Sequence, residues 1–251
     1  MKQFCFDPRV EEEMSPHHVY QIVYNNSFEV CQTYPEAVVV PAGMSRQDIA
    51  KCSKFRTKER LPILCLLYEY QPNCYCSLFR CSQTKGGILG SRSEEDEKMI
   101  RQIDCSTRTI SVKEVKCGSQ VNCKIYDARG YYAAWGNKIS GKGFETPEAY
   151  NCEVEFLNIP NIHAVRYSYN RLKAFDPSRE NFWEALGESG WMDYVNLILA
   201  GAKSMAGSML KGTNVMVHCS DGWDRTTQLA CLTQIILDPY FRTIEGFGCL
   251  V

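Results

Sequence analysis

A cysteine six residues ahead of an arginine, with a glycine between them, can hold an oxyanion against a sulfur nucleophile. In VMVHCSDGWDRTTQL, residues 215–229, Cys219 and Arg225 stand in that relation. The spacing alone carries little: in a chain with fourteen cysteines, about one chance match is expected. Three occur, at Cys74/Arg80, Cys123/Arg129 and Cys219/Arg225. The first two lie in extended, alternating segments that would splay the pair along a strand. Only the third has a short apolar strand before it (VMV), Gly222 inside it and a helical pattern directly after it. A loop between a strand and a helix N-terminus turns successive backbone N–H groups inward, and the helix dipole adds positive potential there. Gly222 permits the backbone angles or the close approach such a cradle needs. Arg225 offers a planar fork for two phosphate oxygens and stays charged. The same field brings a thiol down from roughly 8.5 into the range of about 3.5–7.5. A thiolate in a phosphate cradle implies attack on phosphorus and a cysteinyl-phosphate that water later hydrolyses. The leaving oxygen needs a proton, and Asp221 and Asp224 both lie within reach in the loop. His218 reads as a structural residue that hydrogen-bonds loop carbonyls.

The elements that must position this loop follow from periodicity. VYQIVY (19–24) and AVVVP (37–41) read as strands, and SRQDIAKCSKF (45–55) as a short helix with Ser45 and Asp48 forming a capping box. LPILCLLYEY (61–70) and YCSLFR (75–80) are strands joined by the turn QPNC. SEEDEKMIRQI (93–103) is a helix whose acidic first turn suits the dipole. VNCKIY (121–126) is a strand, followed by a Gly-rich loop to about residue 144, and VEFLNI (154–159) is another strand. Apolar residues recur at steps of three and four from Trp191 to Met209, a core helix stopped near Gly212. VMV (215–217) and TTQLACLTQIIL (226–237) complete a strand–loop–helix unit. Alternation of short strands with helices predicts an α/β fold with a largely parallel central sheet. The basic run KCSKFRTKER (51–60) reads as a solvated helix face, with a face toward anionic membrane as the alternative. The chain ends at EGFGCLV without a visible closing element, as if cut into a domain.

Composition sets outer bounds. With 45% hydrophobic and 23% charged residues and a net charge of -1, the chain is globular, and no global field favours nucleic acid. There is no C-x-x-C pair, and the four histidines (17, 18, 163 and 218) are not at zinc-ligand spacing from the cysteines. No apolar run approaches a membrane span and the N-terminus has no secretory h-region, which points to free thiols in a reducing cytoplasm.

HCSDGWDRT resembles the signature loop of the myotubularin family, phosphoinositide 3-phosphatases of the Cys-x5-Arg superfamily with a protein tyrosine phosphatase-like fold. FEVCQTYP, FRTKERLPIL, RCSQTKGG, YDAR, GNKISGKGFE, LNIPNIH and LDPYFRTIEGF resemble family landmarks in the family's order, over most of residues 19–248. The resemblance implies removal of the D3 phosphate from phosphatidylinositol 3-phosphate and the 3,5-bisphosphate, without metal or cofactor. It makes Cys219 the nucleophile, Arg225 the phosphate binder and Asp224 the general acid. Ser220, Asp221, Gly222 and Trp223 line the cradle, Trp223 on the inositol side. Asn137, Asn161 and Ile162 match positions that contact the headgroup, and Asp127 matches an aspartate needed for activity that organises the pocket. Residues 1–18 would be an N-terminal extension and 19–251 the phosphatase domain, ending before its C-terminal part and a further phosphate-contacting arginine. The implied partners are a phosphoinositide headgroup, an endosomal-type membrane contacted peripherally from the cytoplasm, and other myotubularin copies, with no nucleic acid. Two other readings stand beside this one: an inactive fragment serving as a binding or regulatory module and, more weakly, a protein-phosphotyrosine phosphatase.

Overall fold

The computed structural model describes residues 19–110, 123–178 and 181–250. The extension expected over 1–18 and the first two residues of the strand expected over 121–126 lie outside the described residues. A two-stranded antiparallel ribbon, β1 (Tyr20–Tyr24) and β2 (Ala37–Pro41), precedes helix α1 (Arg46–Phe55). The main sheet has β3 (Ile63–Gln71), β4 (Cys74–Ser82), β5 (Cys123–Asp127), β6 (Glu153–Phe156) and β7 (Asn214–Cys219) in the order β3-β4-β7-β5-β6. β7 pairs in parallel with both β4 and β5, and β5 with β6, while β3 is an antiparallel edge on β4. The sheet is therefore mixed but largely parallel, as expected for this α/β chain.

Period-two alternation builds a core on both faces. Val215, Val217 and Cys219 of β7 pack in one layer with Leu78 and Tyr126, beneath α7 (Trp191–Met209) and α8 (Asp224–Leu237). Met216 packs in the other layer with Phe79 and Ile125, against α1 and α2 (Glu94–Ile110). His218 follows Met216 and so enters that second layer, although it is ionisable and fully buried. Register decides where function can sit: Ser82 lies opposite Cys219, and Asp127 opposite His218. The chain segments after β4, β5 and β7 therefore leave the sheet at one carboxyl edge, where ligands of open α/β sheets bind.

The expected strands and the helices over 45–55, 93–103, 191–209 and 226–237 are all present. Five helices depart from the reading. The segment taken for a Gly-rich loop contains α3 (Tyr131–Ile139), in which Ala134 is buried and the one interior glycine, Gly136, costs only about 1 kcal/mol. A single turn, α4 (Pro147–Tyr150), follows it. α5 (Ile162–Lys173) and α6 (Phe182–Ser189) are helices that the sequence analysis does not assign, each opened by an asparagine N-cap. The terminal EGFG stretch also folds: after a 3-10 turn, Thr243 Oγ1 accepts from Gly246 N–H at 3.0 Å and starts α9 (Ile244–Leu250).

Candidate active site

The loop from Cys219 to Asp224 joins β7 to α8. Its shape is set from behind, because five consecutive carbonyls are bonded to the scaffold. Cys219 O faces His218 Nδ1 at 3.1 Å, and Ser220 O accepts from Gln83 N–H at 3.2 Å. Asp221 O accepts from Arg60 Nη1, Gly222 O from Arg80 Nη2 at 3.0 Å, and Trp223 O from Thr227 Oγ1. In a trans peptide the N–H points opposite to the carbonyl. Pulling these oxygens outward therefore aims the N–H groups of residues 220–224 inward. Gly222 is required where it stands: its φ is +68°, and a Cβ there would meet Cys81 O at 2.3 Å.

Cys219 is buried at the centre of this cradle. Burial alone would raise its thiol pKa, but the Thr226 hydroxyl, the Arg225 charge and the N–H groups of Thr226 and Gly222 outweigh it and hold the thiol below its ordinary range. Arg225 Nη1 donates to Ile159 O at 2.9 Å, which leaves the Nε–Nη2 edge of its fork for an anion. Beside it lies a cavity of ≈ 380 Å³ whose walls include Asp224, Arg225, Pro160, Ile162 and Trp191. Asp224 is exposed in the first turn of α8, and the exposed Trp223 ring carries the Arg60 guanidinium 4.0 Å from its centroid.

Behind the cradle runs a buried chain of alternating charge. Asp96 accepts from Arg56 Nε and Nη2 at 2.7 and 2.6 Å, Arg56 Nη1 donates to Glu145, and Glu145 Oε2 lies 2.9 Å from His218 Nε2. His218 Nδ1 thus faces the Cys219 carbonyl, while Nε2 stands at ion-pair distance from the Glu145 carboxylate without hydrogen-bond alignment, a placement that favours the imidazolium through charge. Burial lowers the His218 pKa, but the Glu145 and Asp127 charges overcome it and the net shift is upward. Glu145 moves the other way: burial opposes its charge, yet His218 and Arg56 hold it well below the usual carboxylate range. With His218 charged, the four groups sum to zero.

The expected site residues divide into three groups. Cys219, Ser220, Asp221, Gly222, Trp223, Asp224 and Arg225 form one loop, and Ile162 joins Arg225 in the wall of the cavity. Asn161 sits nearby as the N-cap of α5, its Oδ1 accepting from His163 N–H and Ala164 N–H at 3.0 and 3.1 Å. Asn137 lies half-buried in the last turn of α3, where its carbonyl accepts from Ser140 and Lys142 N–H at 3.1 Å each. Asp127 does not face the cradle. It is fully buried, and its carboxylate binds Arg129 Nε and Nη2 at 2.9 and 2.6 Å; Arg129 in turn holds Gln83 and Gly143 O. Asp127 connects to the loop through Arg129 and Gln83 and through its charge on His218. The basic run 51–60 is corrected: Lys51, Lys54 and Lys58 are exposed, but Arg56 and Arg60 are buried and brace the site. Sequence reading also passed over Arg80 and Gln83, whose one signal is polarity in or just after an otherwise apolar strand.

A family model, the myotubularin-like phosphatase domain, matches residues 4–251. The chain is 38% identical over 245 residues to "Myotubularin" of Xenopus tropicalis, covering 94% of this chain and 38% of that protein. It is 38% identical over 255 residues to "Phosphatidylinositol-3,5-bisphosphate 3-phosphatase MTMR2" of Mus musculus, covering 98% and 38%. Against "Phosphatidylinositol-3,5-bisphosphate 3-phosphatase MTMR3" of Caenorhabditis elegans it is 38% identical over 242 residues, covering 95% and 23%. The chain thus spans well under half the length of these relatives.

Proposed function

The chain belongs to the myotubularin-like phosphatase family, and from that premise we propose that it is a cysteine-dependent phosphoinositide 3-phosphatase acting peripherally on membrane from the cytoplasm. The observation that carries the reading is the loop itself, with five carbonyls bonded outward around a thiol held below its ordinary range beside Arg225. Two relatives are named for the 3-phosphatase reaction on the 3,5-bisphosphate, which supports the D3 position and the lipid class. The described cysteines are free thiols, which suits a reducing compartment. Among the described residues no helix is long and apolar enough to cross a membrane.

In this mechanism the Cys219 thiolate attacks phosphorus while the bond from phosphorus to the inositol oxygen breaks. Asp224 gives its proton to the departing hydroxyl. The inward N–H groups and the Arg225 fork stabilise the charge spread over the phosphoryl oxygens in the transition state. Water then attacks the cysteinyl-phosphate, Asp224 takes its proton, and inorganic phosphate leaves with the thiolate restored. Trp223, held by Arg60, faces the ring. The test is phosphate release from phosphatidylinositol 3-phosphate and the 3,5-bisphosphate, with Cys219→Ser as control. Release that vanishes in the control is expected; none above control would leave the chain a binding module. Faster turnover of a phosphotyrosine peptide would overturn the lipid assignment.

A further inference from the structure

We propose that loop 85–92 and helix α3 together form a bilayer-contact surface that seats the cradle against an anionic lipid leaflet. This rests on the phosphoinositide reading above, and it assigns a face of the molecule that the catalytic chemistry does not use. The loop follows β4 and the helix follows β5, so both leave the sheet at the carboxyl edge that carries the cradle. They are tied together: Gly87 N–H donates to Lys142 O at 3.1 Å, and a Cβ on Gly87 would stand 3.4 Å from Gly141 Cα.

The apolar side chains on this face point into water. Leu89 is 96% exposed, Ile88 65%, Tyr132 89%, Ile139 69% and Trp135 48%. On α3 the residues Tyr132, Trp135 and Ile139 are spaced at three and four, so they make one stripe. Single exposed apolar residues need no explanation, but a stripe beside an apolar loop tip marks an interaction surface.

Charge selects the occupant. Residues 83–92 and 129–144 contain no aspartate or glutamate, and Lys85, Lys138 and Lys142 stand on this face in a chain of net charge -1, while Arg92 is paired with Glu97 of α2. Lys138 Nζ stands 4.2 Å from the centroid of the Phe144 ring, a basic head beside an aromatic. Apolar tips, tyrosine and tryptophan at mid-level and lysines around them match the layers of a leaflet: acyl boundary, headgroup zone and anionic surface. A substrate whose phosphate projects from such a leaflet would meet the cradle when this edge faces it.

The test is partition of the protein onto phosphatidylcholine vesicles with and without phosphatidylserine. The Ile88→Ser, Leu89→Ser double variant should partition at least about tenfold more weakly than the native protein. Native binding should also weaken without phosphatidylserine. Leu210→Ser, an exposed site before β7 at the opposite edge, should change neither. Hydrolysis of a water-soluble short-chain phosphatidylinositol 3-phosphate should be the same in the double variant and the native protein, while hydrolysis of the vesicle-borne lipid falls with partition. Unaltered partition in the double variant would overturn the proposal. So would a native dimer, seen by sedimentation velocity, that the double variant converts to monomer, because a second copy would then be the occupant. If the soluble substrate is not hydrolysed even by the native protein, the catalytic reading fails, and the vesicle arms still decide this one.

Discussion

Glu145→Gln is the most searching perturbation of the scaffold, because a carboxamide keeps the shape of the buried chain and removes one charge. The amide oxygen can still accept from Arg56 Nη1, and the amide NH2 can donate to His218 Nε2. With Glu145 neutral, Asp96 and Arg56 already cancel, so a charged His218 would be left as an uncompensated buried cation. His218 therefore becomes neutral and keeps one proton, on Nδ1, for the Cys219 carbonyl. Two charge-assisted contacts turn into neutral ones, each falling from about 1.5–3 to about 0.5–1.5 kcal/mol. The expected loss is about 2 kcal/mol, below the roughly 3–5 kcal/mol of removing a buried partner outright, as in Glu145→Ala. The pH dependence carries the sharper sign. In the native protein the His218 pKa is raised, so its contribution is full below the unfolded value of about 6.5 and is lost as pH rises through the folded value. Glu145, held low, contributes above its unfolded pKa and loses that contribution as pH falls toward acid. Urea unfolding of both proteins in a Cys219→Ser background, which removes the opposing thiol titration, reads these slopes. Native stability should decline with pH above about 6.5, whereas the variant should be flat there. The same downward slope in the variant, or a loss below about 0.5 kcal/mol, would refute the imidazolium assignment.

Gly222→Ala should cost at least about 2 kcal/mol, since its φ of +68° and a Cβ 2.3 Å from Cys81 O leave no relaxed position; the urea midpoint should fall with an unchanged slope. Arg60→Leu removes the donor to Asp221 O and the cation over Trp223, so inorganic phosphate should protect Cys219 from alkylation about tenfold less well; equal protection would mean the loop holds its form without bracing. Alkylation of Cys219, followed by peptide mass spectrometry, should reach half its maximal rate below roughly pH 8.5. Cys76 and Cys152, each pushed up to about 12 by burial, should stay unmodified over that range.

What the chain reveals by inspection is what contiguous residues carry. VMV, the glycine and the following helix sit within one stretch, so the strand–loop–helix unit could be read directly. Ser45 and Asp48 are three apart, and both capping-box bonds form. The bracing behind the loop is different in kind. Arg56 finds its carboxylates 40 and 89 positions further along the chain, and Arg60 finds its carbonyl 161 positions away. Locally these arginines look like the lysines beside them in KCSKFRTKER. Packing sorts them, because a planar guanidinium can satisfy several buried acceptors and an ammonium cannot. The acids of SEEDEK show the same limit. Glu95 pairs at the surface with Lys51 and the largely buried Glu97 with Arg92, whereas Asp96 turns fully inward to Arg56 and Tyr150. The helix dipole accounts for the acids of that turn as a group but not for which of them is buried. The resemblance implies that Asp127 organises the pocket, and its three bonds to the Arg129 side chain offer a route for that.

A ring of N–H dipoles held open from behind is crowded with positive potential when nothing occupies it, and it cannot relax by turning a peptide over. A thiolate at Cys219, which the downward shift of its pKa favours, would be the loop's standing counter-ion. On the proposed mechanism that gives the sulfur a second role beside attack on phosphorus: it would neutralise the ring between substrates and repel each new anion slightly on arrival. Cys219→Ser then does more than silence the nucleophile. It vacates the counter-ion's place, and inorganic phosphate or tungstate meets the undiminished field of the ring and Arg225. The inert protein should be the tighter anion trap, and the margin between the two measures how strongly the loop is charged in its resting state.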